Sequence, residues 1–102
     1  MVLPRKARMV SYLIEKEKYE SAVKYIGLSR SDGDEAKNNW VTGMENFSKE
    51  VKIESIKISP IMLDDNFPKG TYVMTVYDRK NQTSHIYEGF VTWQNGIVFE
   101  VR

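Results

Sequence analysis

The chain has 102 residues, 41% hydrophobic and 28% charged, with 15 Lys and Arg against 14 Asp and Glu. That length predicts one domain, and that balance excludes collagenous, low-complexity and wholly disordered chains. A net charge of +1 disfavours a dedicated nucleic-acid binder; zero cysteines exclude disulfides, thiolate nucleophiles and cysteine-ligated zinc, and one histidine excludes most histidine-based metal sites.

Met1-Val2-Leu3-Pro4 followed by Arg5, Lys6 and Arg8 is not a signal peptide, because the basic residues lead into an amphipathic segment and not into an apolar core. Residues 1–6 read either as a stub with a solvated first turn or as a basic juxtamembrane segment. No apolar run approaches the ~20 residues of a membrane span. Met9, Val10, Leu13 and Ile14 recur at helical spacing, and Ala22, Val23 and Ile26 resume the stripe after the polar Glu15-Lys16-Glu17-Lys18. The gap allows one helix over about 6–26 or two helices separated by a kink near Lys18, with Gly27 as the stop. Residues 29–34 are a turn-rich loop in which Asp32 or Asp34 can cap the next helix. Trp40, Val41, Met44 and Phe47 then make an apolar stripe on a helix over about 34–49, the pattern of a core-facing helix.

After Val51 the period changes to two. Val51 and Ile53 are out of phase with Ile56 and Ile58, which predicts a bulge near Glu54-Ser55, and Pro60 belongs at an edge or an interruption. Residues 63–70 form a connecting loop, 71–78 a strand, and 79–82 a hairpin turn. A long strand over 84–94 puts Ile86, Glu88, Phe90 and Thr92 on one face and His85, Tyr87, Val91 and Trp93 on the other. Asn95-Gly96 predicts a two-residue hairpin into a last strand with Ile97, Phe99 and Val101. Helices first and a four-stranded antiparallel meander after them predict an α+β domain, with the helices packed on one face of a curved sheet. Its expected core includes Trp40, Phe47, Met74, Phe90 and Phe99.

The stretch from Leu13 to Ile26 (LIEKEKYESAVKYI) resembles the opening of small nuclear-transport-factor-two-like domains: a helix, a break before a Tyr-Glu-x-Ala-type segment, then a second helix. Trp40 to Phe47 takes the place of their third helix, and Phe90 to Val101 resembles their final hairpin. The cystatin-like arrangement, one long helix clasped by a four-stranded sheet, fits almost as well. The resemblance implies a single domain over residues 1–102 from a superfamily of isomerases, dehydratases, lipoprotein-borne accessory domains and extracytoplasmic domains of conjugation channels. Fold alone chooses none of them.

The chemistry-bearing residues form no catalytic constellation. His85 has no acid or nucleophile at catalytic spacing and reads as a strand residue. Asp64-Asp65 reads as turn chemistry, and Asp32-Gly33-Asp34 lacks the spacing and terminal Glu of a calcium loop. The glycines make no phosphate-binding cluster. The expectation is therefore a non-enzymatic binding or assembly domain, with no cofactor and no metal. The resemblance implies a bacterial cell-envelope protein, extracytoplasmic and membrane-anchored in the full-length protein. The alternative is a small-ligand isomerase or hydrolase working in the sheet concavity, recognisable by an inward acid beside a tyrosine. Tyr77, Tyr87, Val91 and Trp93 are the expected interface, an aromatic open sheet face for a protein partner or a second copy, while Met74, Val76, Ile86 and Phe90 are expected to face the helices. Aromatics near Arg79 and Lys80 also allow single-stranded nucleic acid, which the near-zero net charge disfavours.

Overall fold

A computed structural model describes residues 5–28, 33–61, 69–93 and 96–101. The helices α1 (Arg5–Glu15), α2 (Tyr19–Ala22) and α3 (Gly33–Glu50) precede strands β1 (Val51–Pro60), β2 (Lys69–Asp78), β3 (Thr83–Thr92) and β4 (Val98–Val101). The fold is α+β: the helices pack on one face of an open, antiparallel sheet of order β1-β2-β3-β4, in which β1 and β4 are the edges. Asp32, Asp64, Asp65 and Asn95 lie outside the described residues.

Of the two readings of the N-terminal half, the kinked one holds. Glu17 takes the left-handed conformation at φ 58°. Its N–H donates to the Ile14 carbonyl and the Lys18 N–H to the Leu13 carbonyl, the paired bonds that close a helix C-terminus. α2 starts at once and runs into a single 3-10 turn over Val23–Tyr25, so the helical path ends before Gly27. α1 buries Ala7, Val10, Ser11 and Ile14 at three- and four-residue steps, and the Ser11 hydroxyl is satisfied by the Ala7 carbonyl at 3.1 Å.

The phase break in β1 is a bulge: Ile53 pairs with Val76 and Ser55 with Thr75, which leaves Glu54 unpaired. Ile53 and Ile56 therefore both point at the helices, where they are buried with Tyr72, Val76, Val91 and Ile97. Each sheet edge is partly closed. On β1 the Ile56 N–H donates to the Glu15 carboxylate at 2.8 Å, and Pro60 has no N–H to offer. Beside β4, Ile97 forms a parallel bridge to Ile26, giving its N–H to the Tyr25 carbonyl and accepting from the Gly27 N–H. Ile97 belongs to this bridge and precedes the β3–β4 ladder. The first pair of the ladder is Thr92 with Val98, and the two-residue hairpin expected at Asn95-Gly96 falls on Asn95, outside the described residues.

The register of β2 on β3 overturns the expected division of faces. Asp78 pairs with Thr83 across the four-residue turn, so even-numbered residues of β2 stand opposite odd-numbered residues of β3. Met74 and Val76 share their face with Tyr87 and His85, not with Ile86 and Phe90. Ile86 is 66% exposed on the outer face. Phe90 is half-buried on the same outer face, with the Lys69 ammonium 4.3 Å from its ring centroid, so it is not a core residue.

Candidate functional site

α3 packs on the sheet through a partly covered face. Of its 18 residues only Val41 is buried; Trp40 and Met44 are half-buried against the core and Phe47 is exposed, so the stripe that predicts a core-facing helix is only partly covered. The stripe instead forms one wall of a cleft of about 290 Å³, lined by Ile14, Trp40, Met44, Phe47, Ile53, Ile56, Tyr72, Met74 and Phe99. Trp40, Met44 and Phe47 sit at i, i+4 and i+7 on α3 and so share one side of the helix. The opposite wall comes from the sheet. Ile53 and Ile56 flank the bulge that keeps both on this face, and Tyr72 and Met74 are successive inward residues of β2.

Two aromatic contacts fix the ends of the cleft. The Tyr72 and Phe99 rings meet edge-to-face, 5.2 Å between centroids at 85°, and Tyr19 braces Trp40 the same way at 6.2 Å and 75°. Tyr72 finds room because its partner on β3 is Gly89; a Cβ there would fall 2.7 Å from the Tyr72 ring and on top of the Glu100 carbonyl oxygen. Phe47 remains 40% exposed at the mouth, where Leu or Phe side chains of a folded core are usually covered.

Tyr72 is the one titratable side chain in the lining, and burial pushes its phenol above the ordinary tyrosine range. Tyr19, behind the α3 wall, is raised as well: its burial outweighs the hydrogen bond with Ser48 that favours the phenolate. Both rings therefore stay neutral at physiological pH. The cleft can remove apolar surface from water, and an ionised ligand entering it would lose hydration without gaining a partner. The feature expected of an isomerase-type pocket, a carboxylate beside the tyrosine, is not part of this lining.

The four residues of the expected interface do not share a face. Val91 is fully buried in the core. Trp93 is half-buried against Gly70, whose Cβ position lies 3.0 Å from its ring. Tyr77 pairs with Ser84 and lies on the outer face. Tyr87, 48% exposed, stands opposite Met74 on the cleft side and extends the apolar wall past the helices. His85 is exposed on the same side and bonds to the Thr83 hydroxyl at 3.1 Å. Among the described residues no three His, Cys, Asp or Glu side chains gather as a metal site.

The sequence marks the α3 wall of the cleft, as the Trp40–Met44–Phe47 stripe, and the bulge that puts Ile53 and Ile56 on one face, but not Tyr72. The signal for Tyr72 is the hairpin arithmetic, since a four-residue turn after Asp78 sets it against Gly89. No known family model matches this sequence, and no curated protein matches it.

Proposed function

We propose that the chain is a non-enzymatic binding or assembly domain, and that its binding site is the apolar cleft between α3 and the sheet. The observation that carries this reading is the lining: eight apolar side chains and Tyr72, around an open cleft of about 290 Å³. The fitting occupant is an apolar side chain or two presented by a protein partner, with exposed Phe47 and Tyr87 giving the rim more apolar surface to cover. The resemblance to nuclear-transport-factor-two-like and cystatin-like domains supports a setting in a cell-envelope protein, as an accessory module of a lipoprotein or of a conjugation or secretion channel.

Titration with Nile red, an uncharged aromatic dye, tests the site before any partner is known. The expected result is one saturable site that quenches Trp40 and disappears when Met74→Trp fills the cleft, while the outer-face variant Ile86→Lys binds as the parent does. Binding that survives Met74→Trp and is lost in Ile86→Lys would move the site to the outer face and end this reading.

A further inference from the structure

The outward side of α1 carries charge of one sign. Arg5, Lys6 and Arg8 on α1 and Lys16 just past its end are all exposed, away from the buried Ala7, Val10, Ser11 and Ile14. Tyr12 lies among them, 51% exposed, with the Lys16 ammonium 6.0 Å from its ring centroid. Arg5, Arg8, Met9 and Tyr12 line a shallow groove on this surface. The neighbouring carboxylates are engaged elsewhere: Glu15 accepts from the Ile56 N–H, and Glu17 pairs with Arg79 at 3.8 Å. Among the described residues, none of the four cations is in an ion pair.

Their position works against the helix. Arg5, Lys6 and Arg8 occupy the first turn of α1, which has no acidic residue, and the free N–H groups at a helix N-terminus repel positive charge. A charge pattern that costs local stability and meets no carboxylate among the described residues is what a surface shaped for an external anion looks like. The chain as a whole has a net charge of +1, so the residues outside this stripe together carry −3, and the molecule is electrically polar.

We propose that this face of α1 is a contact surface for an anionic lipid bilayer, with the helix lying along the headgroups. Phosphates alone would be answered by cations alone. Here the cations alternate with Tyr12 and the half-buried Met9, a mixture suited to the boundary between headgroups and acyl chains. No helix among the described residues is long and apolar enough to cross a membrane, so the contact is peripheral.

The test is co-sedimentation of the full chain with vesicles of equimolar phosphatidylglycerol and phosphatidylcholine, beside vesicles of phosphatidylcholine alone. The protein is expected to pellet with the anionic vesicles and to be released by molar salt. Each cation near an anionic surface contributes about fivefold, so Arg5→Gln/Arg8→Gln should weaken binding by ~25-fold. That variant should also melt at or slightly above the parent temperature, since it relieves the helix end; a merely structural role for the two arginines predicts the opposite shift. Tyr12→Ala should reduce binding and leave its salt dependence in place. Equal binding to both vesicle types, or none to either, would overturn the proposal. Tighter binding to duplex DNA than to vesicles at equal phosphate, or release by millimolar inorganic phosphate, would do the same by showing a general polyanion surface.

Discussion

Val91 and Ile86 sit five residues apart on one strand, on opposite faces, and should respond very unequally to truncation. Val91 is 0% exposed within the core, between the helices and the sheet, whereas Ile86 is 66% exposed on the outer face. Val91→Ala removes the equivalent of two methylene groups, worth about 0.8 kcal/mol each in transfer, and the void adds roughly another 1 kcal/mol because surrounding Ile97 and Tyr72 collapse only in part. The expected loss is about 2.5 kcal/mol, which for a domain of this size lowers the melting temperature by roughly 10–20 °C. Ile86→Ala should cost under about 0.5 kcal/mol. Thermal melts followed by circular dichroism, with urea titrations to check that the m-value is unchanged, measure both. A Val91→Ala protein that melts within a degree or two of the parent, or an Ile86→Ala protein that falls as far, would refute the register of β2 on β3 and the placement of the core with it.

Three further outcomes follow from the same geometry. Gly89→Ala should destabilise by about 1–3 kcal/mol in urea titration, because its Cβ must displace the Tyr72 ring and the Glu100 carbonyl; tolerance would show that Tyr72 does not lie over Gly89. Glu15→Ala should cost about 1–2 kcal/mol and raise light scattering on standing, since it frees the Ile56 N–H on the β1 edge for pairing with another chain. The Asp78 carboxyl is held below its ordinary range chiefly by the hydrogen bonds it accepts from Asn81. Because its pKa is depressed in the folded state, its contribution is present above the unfolded value of about 4 and is lost as pH falls through the folded one. Melting temperatures of the parent and Asp78→Ala should therefore differ at neutral pH and converge in acid.

Much of the fold is legible in the residue pattern. The phase break between Ile53 and Ile56 locates the bulge, and the Trp40–Met44–Phe47 spacing locates α3. The kink is half legible: the polar run 15–18 marks a weak point, but Glu17 adopts a conformation usually left to glycine, and nothing in its chemistry announces that. The faces of β3 go wrong when strand phases are matched by residue type, since Phe90 and Ile86 are as apolar as Tyr87 and Val91; only pairing through the turn separates them. Ile97 is out of reach of local reading because its partner, Ile26, is 71 positions away. The cleft is hidden for a related reason. Its lining residues are those of any core, and what makes it a site is the gap left between the α3 stripe and the sheet, a tertiary feature.

The most direct test of the cleft as a binding site uses its own methionines. Met44 and Met74 face each other from α3 and β2, whereas Met9 lies on α1, in the groove with Arg5 and Tyr12. Methyl NMR spectra recorded during titration with indole, the side-chain group of tryptophan, should show the Met44 and Met74 signals moving together along one saturation curve while Met9 stays in place. If Met9 shifts as far as the other two, or if Met44 and Met74 remain fixed at saturating indole, the cleft does not bind apolar groups.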